Sequence, residues 1–310
     1  MRRTCFETVL KLQKKNKKII FVGSDLGPGF MKHSKDKVPE RFFMEGVSEQ
    51  SIVGMSAGLA LEGYLPFVNT IATFLTRRCF EQIVIDLCHH DLPVKLIGNG
   101  GGLVYAPLGP THQAIEDISI LRTLPNMTIL APCDANEMRN LIPATLSWPH
   151  PIYIRLSRGD EPLITKKNRK FVIGKSVIIK KSENFLFLST GIASRIALNA
   201  SKKLDQEYNV RSGVIHFPTI KPLDTQALAK SIKKAKKIIT VEENVLAGGF
   251  GSSVLEFCSD HLKDHLHKIS RIGLKDAFVD DYGDQSSLLE KYSITDTKLA
   301  NKMLKLIKND

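Results

Sequence analysis

The sequence predicts an α/β protein of two doubly wound domains, a larger one with a mostly parallel sheet and a smaller C-terminal one. Three observations carry this. Short aliphatic segments alternate with helical stretches along the whole of the 310 residues. Most of those segments are apolar at every position, as strands covered on both faces are. A polar stretch at 159–175, bearing prolines and lysines, separates a longer alternation from a shorter one. The domains are therefore placed at 1–165 and 175–310.

Each element follows in order. A helix over 6–15 leads to the buried strand Ile19-Ile20-Phe21-Val22, closed by Gly23-Ser24-Asp25. Arg41-Phe42-Phe43 is a short strand before a helix that opens at Glu49. That helix reads Ser51-Ile52-Val53-Gly54-Met55-Ser56-Ala57-Gly58-Leu59-Ala60-Leu61, small or apolar on nearly every face, which predicts burial on all sides. Leu65-Pro66-Phe67-Val68 is a strand, 73–89 a helix, and Pro93-Val94-Lys95-Leu96-Ile97-Gly98 a strand. Met127-Thr128-Ile129-Leu130, a helix over 135–146 and Ile152-Tyr153-Ile154-Arg155-Leu156 complete the first half. The second half has strands at Phe185-Leu186-Phe187-Leu188, Gly213-Val214-Ile215-His216, Ile238-Ile239-Thr240-Val241 and Ile269-Ser270-Arg271-Ile272, with helices over 193–204, 225–234 and 252–262 between them.

Composition narrows the function classes. At 43% hydrophobic and 25% charged residues the chain is of ordinary globular type. No run of about 18 apolar residues is present, so no spanning helix and no membrane partner is expected. The first seven residues lack the apolar core of a signal peptide. The five scattered cysteines (Cys5, Cys79, Cys88, Cys133, Cys258) suit reduced thiols and a cytoplasmic location. The net charge of +12 is gathered in lysine runs such as Lys14-Lys15-Asn16-Lys17-Lys18, with no aromatic residues interleaved. Such runs suit solvated helix ends rather than a nucleic-acid footprint. The clusters Gly98-Asn99-Gly100-Gly101-Gly102 and Gly248-Gly249-Phe250-Gly251 match neither a dinucleotide fingerprint nor a P-loop and are expected to be tight turns. Cys88-His89-His90 and the set His261, Asp264, His265, His267 lack zinc-type spacing, and no metal is expected on this chain.

One acid stands out. Glu49 opens a small-residue helix, where the helix dipole lowers a carboxyl pKa and burial raises it, the net being open. The surrounding pattern Phe42-Phe43-x-x-Gly46-Val47-x-Glu49-Gln50-x-x-Val53-Gly54-x-x-Ala57-Gly58-Leu59-Ala60 resembles the pyrimidine-binding segment of transketolases and related thiamine-diphosphate enzymes. Three further segments match that group in the same order: Ala72-Thr73-Phe74-Leu75-Thr76-Arg77-Arg78-Cys79-Phe80-Glu81-Gln82, Gly109-Pro110-Thr111-His112-Gln113, and Ile154-Arg155-Leu156-Ser157-Arg158-Gly159. Phe217-Pro218-Thr219-Ile220-Lys221-Pro222-Leu223-Asp224 is also typical of it.

The resemblance implies roles residue by residue. Glu49 would hydrogen-bond the N1′ nitrogen of the aminopyrimidine ring and control its proton. Phe74 would pack on that ring with Phe80 as a second wall, and Asp25 would join the cofactor set. His112 would hold the donor sugar's oxygen and steer a proton. Arg158 would bind a sugar phosphate, and Arg77 would also face substrate. The Gly-Asp-Gly start of the group's diphosphate-binding domain is not found here. The resemblance thus implies the C-terminal subunit of a split transketolase, moving a two-carbon ketol unit between sugar phosphates in carbohydrate metabolism. An N-terminal subunit would carry the diphosphate and its Mg²⁺ or Ca²⁺, in a two-plus-two heterotetramer.

Departures bear on the substrate. Leu108 stands where the group commonly has an Asp that contacts the donor hydroxyl, and Arg77 stands where many transketolases carry an aromatic. The alternatives kept open are a deoxyxylulose-phosphate-synthase-like enzyme, the beta subunit of a 2-oxo-acid dehydrogenase, and a paralogue that only binds partners or nucleic acid.

Overall fold

A computed structural model describes residues 1–24, 36–159 and 161–309. In the first half, helix α1 (Arg2–Gln13) precedes strands β1 (Ile19–Gly23) and β2 (Phe42–Met44), helix α2 (Glu49–Leu61) and strand β3 (Leu65–Ile71). Helical segments follow, then β4 (Lys95–Asn99), α3 (Asp117–Arg122), β5 (Thr128–Leu130), α4 (Ala135–Ala144) and β6 (Ile152–Leu156). The second half comprises β7 (Val177–Lys180), β8 (Phe185–Ser189), α5 (Ala193–Tyr208), β9 (Gly213–His216), β10 (Thr219–Lys221), α6 (Thr225–Lys234) and β11 (Lys237–Val245). It ends with α7 (Phe250–His261), β12 (Ile269–Leu274), α8 (Gln285–Lys291) and α9 (Asp296–Lys308).

The larger sheet runs β10-β5-β6-β4-β3-β1-β2 and is parallel except for β10. The smaller runs β12-β11-β8-β9-β7, parallel except for β7. Alternate side chains of β1 serve opposite layers, as the two-residue period of a strand requires. Ile20 and Val22 pack with Ile52, Val53 and Ala57 of α2, whereas Ile19 and Phe21 pack with Phe6 and Val9 of α1 and Leu141 of α4. In the smaller domain, Phe187 and Val214 face Ala197 of α5 and Leu299 of α9, while Leu186 and Ile215 face Leu228 of α6 and Val254 of α7. Among the described residues no helix is long and apolar enough to cross a membrane.

Two expectations change. The helix expected over 73–89 is wound as π turns at Phe74–Arg78 and Ile83–His89, with one α turn at Phe80–Gln82 between them. A π turn inserts a residue, which composition does not reveal. The helix after Glu49 is not buried all round. Ile52, Val53, Ser56, Ala57 and Ala60 face the core, but Gln50, Ser51, Gly58 and Leu61 are exposed, with Leu61 at 66% and the preceding Val47 at 68%. The small apolar residues of α2 cover more directions than this one chain fills.

The halves are joined through polar groups as well as through β10. Arg155 and Asp117 form a buried ion pair, with Nε to Oδ2 at 2.8 Å and Nη2 to Oδ1 at 2.9 Å, and Tyr153 donates to the same carboxylate at 2.6 Å. The Arg155 Nη2 also donates across the boundary to the Glu243 carbonyl at 2.9 Å. Glu243 Oε1 accepts from the Leu103 amide at 3.0 Å. Desolvation raises the Glu243 carboxyl pKa, against the pull of Arg155.

Candidate active site

The parallel strands of the larger sheet deliver their carboxyl ends to one edge, the edge where open α/β sheets bind ligands. Glu49 follows β2 there, Phe74 follows β3, His112 lies in the loop after β4, and Arg158 follows β6.

Glu49 sits at the first position of α2, behind Ser48, whose hydroxyl donates to the Glu45 carbonyl at 2.8 Å and leaves the helix without a side-chain cap. The acid is 2% exposed. Its Oε2 accepts from Arg78 Nη1 at 2.6 Å, a short charge-assisted bond. The Arg78 guanidinium carbon stands 4.6 Å from the centre of the Phe74 ring, within cation–π range. The imidazole of His112 meets the same ring edge-on, centroids 5.1 Å apart at 64°. Glu49, Arg78, Phe74 and His112 thus form one continuous group. His112 Nδ1 is 2.9 Å from the Thr111 hydroxyl. Phe80 is half-buried against the main core.

Arg77 braces the His112 loop. It pairs with Glu116, donates through Nη2 to the Gln113 carbonyl at 2.9 Å and reaches the Pro110 carbonyl at 3.4 Å. The loop is also tied from beneath, where Gly102 and Ala114 exchange backbone bonds and Arg155 donates to the Ala114 carbonyl at 2.9 Å. Leu108 is exposed at the loop tip. Arg158 lies in a cleft of about 360 Å³ between the domains, with Ser157, Arg195, Asp284 and Gln285 among its walls, and Glu49, Phe74 and His112 are not among them. Asp25 lies outside the described residues.

The glycine clusters are turns. The amides of Gly100 and Gly101 both donate to the Leu156 carbonyl, and Gly100 and Gly102 have positive φ. At the start of α7 the Phe250 and Gly251 amides are taken by the Glu242 carboxylate at 2.6 and 2.7 Å. An internal acid fills the place an anionic ligand would take.

Several groups escaped the sequence reading. Arg78, which the sequence reading assigned no role, reaches Glu49. Ser24, Asn69, Thr70, Asn99 and Gln113 form buried polar ends on otherwise aliphatic strands and on the loop. Among the described residues the Gln113 side-chain amide and Asn99 Oδ1 have no hydrogen-bond partner. Cys133, Glu137 and His216 come together from distant positions, with metal-ligating atoms within 4.8 Å of one another. His216 bonds Glu137 at 2.9 Å and Ser194 at 2.7 Å, and the Cys133 amide donates to Glu137 at 2.9 Å, so the cluster acts as a hydrogen-bonded pin between the domains.

Residues 1–162 match the family model described as transketolase, pyrimidine binding domain. The chain belongs to the transketolase family. Residues 174–299 match the transketolase C-terminal domain. One of the subunits of an apulose-4-phosphate transketolase from Phocaeicola vulgatus is 34% identical over 262 residues, 84% of each chain. The 1-deoxy-D-xylulose-5-phosphate synthase of Syntrophus aciditrophicus is 34% identical over 276 residues, 88% of this chain but 42% of the synthase. The chain therefore spans less than half the length of such synthases. A solved structure described as a split-gene transketolase, an inactive β4 tetramer, superposes with TM-score 0.89 at 30% identity, covering 99% of this chain and 97% of that one. Transketolases and deoxyxylulose-phosphate synthases are thiamine-diphosphate enzymes.

Proposed function

We propose that this chain is the C-terminal subunit of a split transketolase, which binds the aminopyrimidine end of thiamine diphosphate and works only with an N-terminal subunit holding the diphosphate and its divalent metal ion. The observation that carries the reading is the buried Glu49 carboxylate joined through Arg78 to the Phe74 ring, with His112 on that same ring. A flat ring bearing nitrogens asks for a carboxylate at one edge and an aromatic face, and these residues supply both. The unpartnered Gln113 amide and Asn99 oxygen suit polar groups arriving at the same sheet edge.

When bound, the cofactor supplies the carbanion chemistry that lets a ketose be cleaved. Glu49 holds a proton at the ring nitrogen from a site closed to water, so the proton is neither lost nor exchanged freely. Phe74 fixes the ring plane. His112, braced by Arg77 through the loop, holds the donor's oxygen and moves a proton there. Arg158 pairs with the substrate phosphate as a charge-matched fork. The uncovered face of α2 supports assembly with further chains, and so does the assembly named for the similar split-gene protein. The donor sugar is left open by Leu108.

The test is reconstitution with a candidate N-terminal transketolase subunit that carries the diphosphate-binding domain. Ketol transfer between sugar phosphates is expected with thiamine diphosphate and Mg²⁺, and from neither subunit alone. Glu49→Gln, with the fold intact, should lower kcat by about 10²–10⁴. Undiminished turnover in that variant would refute the assignment. The matches to the synthases keep a second reading, formation of 1-deoxy-D-xylulose 5-phosphate, and assaying the same reconstituted enzyme for that product decides between the two.

A further inference from the structure

We propose that the Arg78 guanidinium is a built-in substitute for the protonated aminopyrimidine, which keeps the pyrimidine half-site of this chain closed until the cofactor displaces it. The inference rests on the reading of Glu49 and Phe74 given above.

Three observations support it. Arg78 satisfies the buried acid, with Nη1 at 2.6 Å from Glu49 Oε2. It also covers the aromatic partner, with its central carbon 4.6 Å from the Phe74 centroid. Finally, the two members of the ion pair differ in freedom: the Glu49 side chain is 2% exposed and fixed in the first turn of α2, whereas the Arg78 side chain is 44% exposed at the end of a π turn. One partner is held and the other has a way out to solvent.

The chemistry of the two cations is alike. A guanidinium is planar, delocalised and positive, with N–H donors along its edge and a face that stacks on aromatic rings. An aminopyrimidine protonated on its ring nitrogen carries the same planar N–C–N unit, the same charge and the same edge donors. Both seek a carboxylate at the edge and an aromatic surface beneath. The exchange forms and breaks no covalent bond: Arg78 moves outward as the ring enters, and one cation replaces another against Glu49. The buried carboxylate is thus never left without a counter-charge, the condition that makes a buried acid costly.

Arg78 therefore has two effects of opposite sign. It stabilises the empty chain and opposes ring binding. A half-site that is closed nine-tenths of the time binds about tenfold more weakly than an open one. An ion pair with a purely structural role would show the first effect without the second.

The experiment uses the full chain without its partner and one probe, 4-amino-5-hydroxymethyl-2-methylpyrimidine, titrated calorimetrically into the wild type, Arg78→Ala, Arg78→Lys and Arg78→Ala/Glu49→Gln. Arg78→Ala is expected to melt lower than the wild type when empty, to bind the probe about tenfold more tightly, and to regain melting temperature when the probe is present. Arg78→Lys, which keeps the charge but cannot lie flat on the ring, should fall between them and covers the case in which the alanine variant fails to fold. Probe binding by both single variants that is equal to, weaker than or undetectable beside that of the wild type overturns the proposal. The double variant separates this from the reading beneath it. Tight binding by Arg78→Ala that survives Glu49→Gln removes Glu49 as the ring's acceptor. Binding lost in the double variant upholds Glu49.

Discussion

Replacing Arg155 by methionine tests how the loop that carries His112 is supported. The guanidinium is buried and gives four hydrogen bonds: two to Asp117 at 2.8 and 2.9 Å, one to the Ala114 carbonyl and one to the Glu243 carbonyl, both at 2.9 Å. Methionine fills similar space but, among the described residues, leaves the side chain of the fully buried Asp117 with the Tyr153 hydroxyl at 2.6 Å as its one remaining partner. Removing one member of a buried pair costs about 3–5 kcal/mol, most of it the penalty of the stranded charge. At about 2–4 °C per kcal/mol for a chain of this size class, the melting temperature should fall by roughly 6–20 °C. Urea unfolding followed by circular dichroism gives the free energy, and Asp117→Asn with the double variant completes a cycle. The double variant has no stranded charge and should lose less than the two single losses added together. A loss under about 1 kcal/mol for Arg155→Met, or strict additivity in the cycle, would refute the stranded-charge argument.

Two further outcomes follow from single residues. Lys95 is buried at the start of β4 with its ammonium on the Pro93 carbonyl, and burial lowers its pKa from 10.5 to about 8. Between about pH 8 and 10.5 the unfolded chain holds more protons than the folded one, so stability should rise with pH across that window; Lys95→Met should abolish the slope and gain up to about 3 kcal/mol at pH 7, and urea midpoints at pH 7, 8.5 and 10 check both. Asp134 caps α4 through the Glu137 amide at 2.9 Å and also holds the Ile164 amide, the Thr165 amide and the Thr165 hydroxyl at 2.7 Å each. Asp134→Ala should cost about 2 kcal/mol or more and expose the segment near residue 165 to trypsin, while an unchanged cleavage rate would show that the acid does not tether it.

The fold was legible because its strands obey simple rules. Ile19-Ile20-Phe21-Val22 and Phe185-Leu186-Phe187-Leu188 are apolar throughout because helices cover both faces of each sheet, and that pattern survives without any knowledge of neighbours. Strands β7 and β10 were not legible. Val177–Lys180 is a four-residue segment that leaves Ile178 exposed, and Thr219–Lys221 is three residues long and gains its place by pairing with β5 from the other half. At the candidate site Glu49, Phe74 and His112 were marked by motif, and the structure brings them onto one ring system. The contact of Arg78 with Glu49 was not legible because it depends on the π winding at Phe74–Arg78, a local change of pitch with no signature in composition. The pin of Cys133, Glu137 and His216 joins residues 79 apart and is a product of domain packing alone.

Strand β10 carries a consequence for how this protein comes apart. It leaves the second half of the chain, lies antiparallel beside β5 as the border of the first sheet, and anchors Lys221 on the Arg122 and Leu124 carbonyls at 3.0 and 2.5 Å. Cutting the polypeptide at 165–175 and parting the halves would strip that border and bare the backbone groups of β5, an invitation to clumping. The two domains are thus a single thermodynamic unit, and calorimetry should record one melting peak, with no earlier shoulder from either lobe.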